Sequence, residues 1–143
     1  MAVDEPDYPT YLNWLAHADA TLTFPQTVVL RYTVQEPGRA DNAAIDYGKW
    51  YIARLRLLNA ALADGREFLV GGRFTIADVC ITYALYLGTT LQTGDSPLST
   101  YYKPQTLAYM QRMMARPAWK RAEQAQEASE AAFDVTESGS SKL

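Results

Sequence analysis

With 143 residues and a formal net charge of −3, the chain is long enough for one domain with a real core, since a fold of this size buries about 68–70% of the surface that its unfolded chain exposes. Its charges interleave and form no basic stripe, which argues against nucleic acid as a partner. A single cysteine rules out an internal disulfide and a multi-cysteine metal site and suits a reducing compartment, while no signal peptide or membrane span is visible.

Residues 1–9 carry two prolines and three acids and read as a linker or lead-in. From 10 to 32 the pattern is helical, interrupted by Pro25. Leu12, Leu15, Asp19 and Leu22 fall on one stripe, and Tyr11, Trp14, Ala18 and Thr21 on a second. Two stripes on one helix predict that it packs on its own domain and also faces something else. Pro25 removes a backbone hydrogen bond, so a kink is expected between 21 and 25. His17 is the only histidine and lies about 200° from Asp19 on the helical wheel. With no second histidine or cysteine cluster, no metal site is expected.

Pro37-Gly38 turns the chain, and Asp41 or Asn42 caps a helix over 43–63. Tyr47, Tyr51, Leu55, Leu58 and Leu62 form its stripe, with Trp50, Arg54 and Leu57 beside it. That aromatic strip reads first as core, and as a partner surface where it stays exposed. Gly65 ends the helix.

The most informative stretch follows. Thr75 and Asp78 make a capping box, the Asp78 carboxylate reaching back to the Thr75 N–H, and Phe74 and Val79 stand at the two positions of a hydrophobic staple. Gly71-Gly72 supplies a tight bend. The next residues are apolar almost all round the helix, which predicts a buried central element. Asp78 is therefore read as a cap rather than a catalytic acid, and Cys80 as a packed thiol. A loop over 92–99 leads to a helix opened by Pro104, with a soft face of Met110, Met113 and Met114, which ends at Arg116-Pro117. A last helix over 118–132 is expected to fray into a disordered tail over 133–143, which closes on Ser141-Lys142-Leu143, a tripeptide of the peroxisomal import type.

The run Phe68-Leu69-Val70-Gly71-Gly72-Arg73-Phe74-Thr75-Ile76-Ala77-Asp78-Val79 resembles the signature that opens the central helix of the glutathione S-transferase C-terminal domain. Tyr109-Met110-Gln111-Arg112-Met113-Met114-Ala115-Arg116-Pro117-Ala118-Trp119 resembles a second segment of the same family. The resemblance covers roughly residues 5–125. It implies an all-α bundle of about five or six helices over 10–132, whose first helix lines the substrate cleft and joins the first two helices in a homodimer interface. Trp14, Asp19 and Thr23 become the substrate-binding candidates.

It also implies glutathione as co-substrate and a detoxifying transfer of its thiolate to electrophiles; the expected location is cytoplasmic, or peroxisomal in a eukaryote on the strength of Ser141-Lys142-Leu143. In that family the thiol-activating residue belongs to a thioredoxin-like domain, which is expected to be missing here or supplied separately. No nucleophile-base pair, phosphate loop or metal spacing appears in this chain, so no catalytic residue is assigned. Two functions follow: the electrophile-binding half of a transferase, or a non-catalytic helical domain for protein assembly.

Overall fold

The computed structural model describes the backbone of residues 1–140; the C-terminal tripeptide falls outside the described residues. The described chain is all-α apart from one small hairpin. Its elements are α1 (Tyr8–Ala16), α2 (Phe24–Leu30), α3 (Asp41–Ala61), α4 (Ile76–Thr90), β1 (Gln92–Thr93), β2 (Ser96–Pro97), α5 (Pro104–Met114) and α6 (Pro117–Ser140). They fall into two compact units, Met1–Met110 and Gln111–Leu143.

Helix α1 opens two residues earlier than the sequence pattern indicates, because Pro9 fits a first turn that needs no N–H from it. Pro25 does not end the helix. A π-helical turn at His17–Thr23 widens the backbone just before it: the Phe24 N–H reaches the Asp19 carbonyl five residues back, and the Thr23 hydroxyl donates to the Ala18 carbonyl at 2.9 Å. Pro25 then lies in the first turn of α2, where its missing donor is tolerated. A second π turn, Arg31–Gln35, follows.

The wide turn also corrects the stripe pattern. Tyr11, Trp14, Ala18, Leu22, Gln26 and Val29 form one continuous buried side, with Leu22 taking the place expected for Thr21.

Helix α2 packs on α3, whose buried side is Ala44, Gly48, Tyr51, Leu55 and Leu58. The segment 92–97, expected as plain loop, pairs Gln92 with Pro97 and Thr93 with Ser96. It lies so close to α3 that a Cβ on Gly48 would meet Thr93 Oγ1 at 2.7 Å. In the second unit α6 continues to Ser140 rather than stopping near 132. Its Ala, Glu and Gln content favours a helix, no proline follows Pro117, and Gln126 donates to Glu130 one turn on, at 2.8 Å.

Helix α4 is the centre of the first unit. Ala77, Ile81, Ala84 and Leu85 are fully buried, and at Gly88 the helix is approached by a pair of tyrosines. Tyr51 and Tyr102 share a hydrogen bond of 2.5 Å between their hydroxyls, and Tyr102 donates to the Leu85 carbonyl at 2.7 Å. The expectation that α4 is buried all round is overturned. Ile76 is 60% exposed, Val79 46% and Tyr83 54%, so one side of an apolar helix is open. An apolar all-round sequence is thus shared between a core face and an uncovered one.

Candidate functional site

The start of α4 is fixed by its cap. Asp78 is fully buried, and its carboxylate accepts four hydrogen bonds: from Leu69 N–H at 3.0 Å and Tyr109 O–H at 2.8 Å on one oxygen, and from Thr75 N–H at 2.8 Å and Thr75 O–H at 3.1 Å on the other. Four donors in place of water are what a buried carboxylate requires. The capping box forms as its spacing implies. Gly71 and Gly72 take φ of +63° and +62°, values that strain any other residue, and so turn residues 67–75 onto the helix. Phe74 packs its ring on Phe68, with centroids 6.2 Å apart.

The exposed side of α4 lies beside α1, which packs against it. An open hollow of about 310 Å³ is lined by Tyr11 from α1 and by Phe74, Thr75, Ile76 and Val79, with Met1 and Arg73 at its edge. The surface here is largely apolar and open.

The three substrate-binding candidates part company. Trp14 is only 6% exposed, and its ring meets His17 edge-on at 5.5 Å, so it lies in the core and supports the helix from within. The second stripe of this helix is thus core at Trp14 and Ala18, and uncovered apolar surface is found on α4. Asp19 is exposed in the π turn, and the Thr23 hydroxyl is engaged with Ala18. Asp19 is near enough to Cys80 for its charge to act there: burial first, then that carboxylate, pushes the thiol above its usual range, which leaves Cys80 a poor nucleophile. His17 is half-buried with Nε2 unpaired, and desolvation, aided by the Arg54 charge, lowers its pKa.

A second exposed surface runs across α2 and α3. Phe24, 50% exposed, meets Tyr47 at 6.2 Å, Tyr47 meets Trp50 at 5.2 Å, and the Arg54 guanidinium lies 5.3 Å from the Trp50 ring centre. Leu57, one turn beyond, is exposed as well. The strip beside the α3 core stripe is therefore surface.

Two polar residues that tie the site together carry weak sequence signals or none. Tyr109 opens the second family-like segment, but it is 31 residues from Asp78 and nothing in that segment pairs the two. Gln26 is fully buried and donates to the carbonyls of Leu22 at 3.1 Å and Ala84 at 2.8 Å, so joining α2 to α4; its place one turn after Leu22 is the only clue. Among the described residues no group of three or more metal-ligating side chains occurs, and no helix is long and apolar enough to cross a membrane.

Residues 52–117 match the family model of the glutathione S-transferase C-terminal domain. Over that segment the chain is similar to a glutathione S-transferase C-terminal domain. The matched segment takes in the C-terminal part of α3, all of α4 and α5, and the Asp78 cap with its Tyr109 partner. The chain is also similar in fold to a solved structure, the glutathione transferase URE2P8 from Phanerochaete chrysosporium with oxidized glutathione. The two share a TM-score of 0.74 and 20% sequence identity, over 92% of this chain and 58% of that one. The chain thus spans somewhat more than half the length of that transferase. No curated protein matches the sequence.

Proposed function

We propose that this chain is the helical, electrophile-binding half of a glutathione S-transferase, competent when a thioredoxin-like domain covers the open side of α4. The observation that carries this reading is the uncovered row Ile76, Val79 and Tyr83 on the central helix. Exposed apolar area on an otherwise buried element marks a surface that another body shields. In the reaction, glutathione loses its thiol proton to the thioredoxin-like side. The thiolate sulfur forms a bond to the electrophilic carbon, and the leaving group departs with its electron pair. The helical side supplies an apolar wall for the electrophile and, at Asp19, a carboxylate for the amino group of glutathione. Cys80 takes no part, since its thiolate is disfavoured. The single cysteine suits the reducing cytoplasm, where detoxifying conjugation takes place.

The test is conjugation of glutathione to a chlorinated dinitrobenzene by this chain alone and by the chain with a thioredoxin-like transferase domain joined ahead of it. Activity is expected only in the joined protein, and Val79→Asp is expected to remove it. Conjugation by the chain alone, or a joined protein indifferent to Val79→Asp, would sink the proposal.

The aromatic surface formed by Phe24, Tyr47 and Trp50 supports a second role, assembly. Exposed aromatic residues flanked by arginine have the composition of an interface centre. We assign this surface to a homodimer contact through the first two helical stretches. Were the chain to dimerise there yet show no glutathione affinity in the joined protein, the non-catalytic assembly role would be the better one.

A further inference from the structure

The N-terminal segment lies against the turn that opens α4, far away in sequence. One oxygen of the Glu5 carboxylate accepts from the Ala2 N–H at 2.6 Å and so folds the segment, while the other pairs with the Arg73 guanidinium across 68 residues. The Tyr8 N–H donates to the Glu5 carbonyl at 3.0 Å, which carries the segment into α1. A Cβ on Gly71 would lie 3.2 Å from the Met1 methyl and 3.5 Å from Asp7 Oδ2, so the segment passes directly over the turn. Met1 and Arg73 border the hollow beside Ile76 and Val79.

We infer that residues 1–7 form a strap, latched by Glu5 and Arg73, that narrows the apolar hollow on α4 when closed and widens it when released. The latch is one ion pair between partly exposed groups, 31% for the Glu5 side chain and 54% for Arg73. Such pairs are weak and screened by salt, which is what a cover that opens readily needs. The proposed function bears on this only in naming the same face as the docking surface; the latch is tested without any second domain.

The experiment is amide hydrogen exchange over residues 2–7, together with fluorescence of an apolar dye, on the full chain. The set comprises the natural sequence, Glu5→Arg, Arg73→Glu and the double reversal, each at low and at 0.5 M salt. Each single reversal is expected to speed exchange roughly threefold to fivefold at low salt and to raise dye binding, and the double reversal, which restores the ion pair but not the acceptor for the Ala2 N–H, to recover part of both changes. High salt is expected to speed the natural chain and to narrow its difference from the single reversals, whose like-charge repulsion it also screens. Adding Val79→Asp to a single reversal should abolish the extra dye signal. Equal exchange in the natural chain and both single reversals, or a double reversal that behaves like the singles, would overturn the latch. The strap thus fails on exchange, and the transferase reading fails on conjugation.

Discussion

At Asp78 one carboxylate is held by four donors from three separate pieces of chain, and this makes it the most sensitive position in the domain. Asp78→Ala removes the acceptor that Leu69 N–H, Thr75 N–H and Tyr109 O–H share, and stability is expected to fall by about 3 kcal/mol. Tyr109→Phe removes one donor and keeps three, so about 1 kcal/mol is expected. Thermal melts of the two variants check both the size and the order; equal melting temperatures would refute the assignment.

Gly88 is a steric counterpart. An alanine there would place its Cβ 2.1 Å from the Tyr102 oxygen and 3.0 Å from that of Tyr51. Gly88→Ala is expected to destabilise by about 1–3 kcal/mol, and adding Tyr102→Phe, which deletes the clashing atom, to recover part of that loss. A denaturant double-mutant cycle with no coupling would contradict the geometry.

Between elements, the seam of α3 and α4 is read through the same tyrosines. Burial, then the neighbouring Tyr102, raises the Tyr51 pKa well above its usual 10, and burial raises that of Tyr102 while the bond from Tyr51 opposes it. Both groups stay protonated in the fold at a pH where the unfolded chain has ionised. Their contribution is therefore complete below about pH 10 and is lost as pH rises above it, by about 1.4 kcal/mol per pH unit for each group. A melting series from pH 8 to 11.5 should show this fall, and the Tyr51→Phe, Tyr102→Phe pair should flatten it.

Much of this level was legible from the chain. The box of Thr75 and Asp78, the glycine bend and the core stripe through Tyr51, Leu55 and Leu58 depend on local spacing, and local spacing is what a sequence displays. The π turn before Pro25 was hidden, since a widened backbone leaves the same residue order and shifts only which side of the helix is buried. The open side of α4 was hidden for a related reason: an apolar pattern marks surface that seeks cover and does not say which body provides it.

For the whole molecule, the homodimer contact proposed for the aromatic surface on α2 and α3 can be tested directly. Trp50→Glu is expected to weaken the dimer at least tenfold, as read by sedimentation velocity at several concentrations, while the melting temperature of the dissociated chain stays nearly unchanged because Trp50 is 40% exposed. A dimer indifferent to this change would move the contact elsewhere. Of the candidate site, the burial of single residues was the part that the sequence did not display. Trp14 belongs to the core, whereas Val79, expected to act as a staple, stands on the open surface.

The cap at Asp78 also bears on how the chain folds. Its carboxylate is neutralised only when the turn at Leu69, the helix start at Thr75 and the α5 side chain of Tyr109 arrive together. Any state with one of them absent holds a partly solvated charge inside an apolar centre, which is a high-energy species rather than a resting point. Folding of this region is therefore expected to be all-or-none, with α5 docking in the same step that buries α4 and no accumulated intermediate between them.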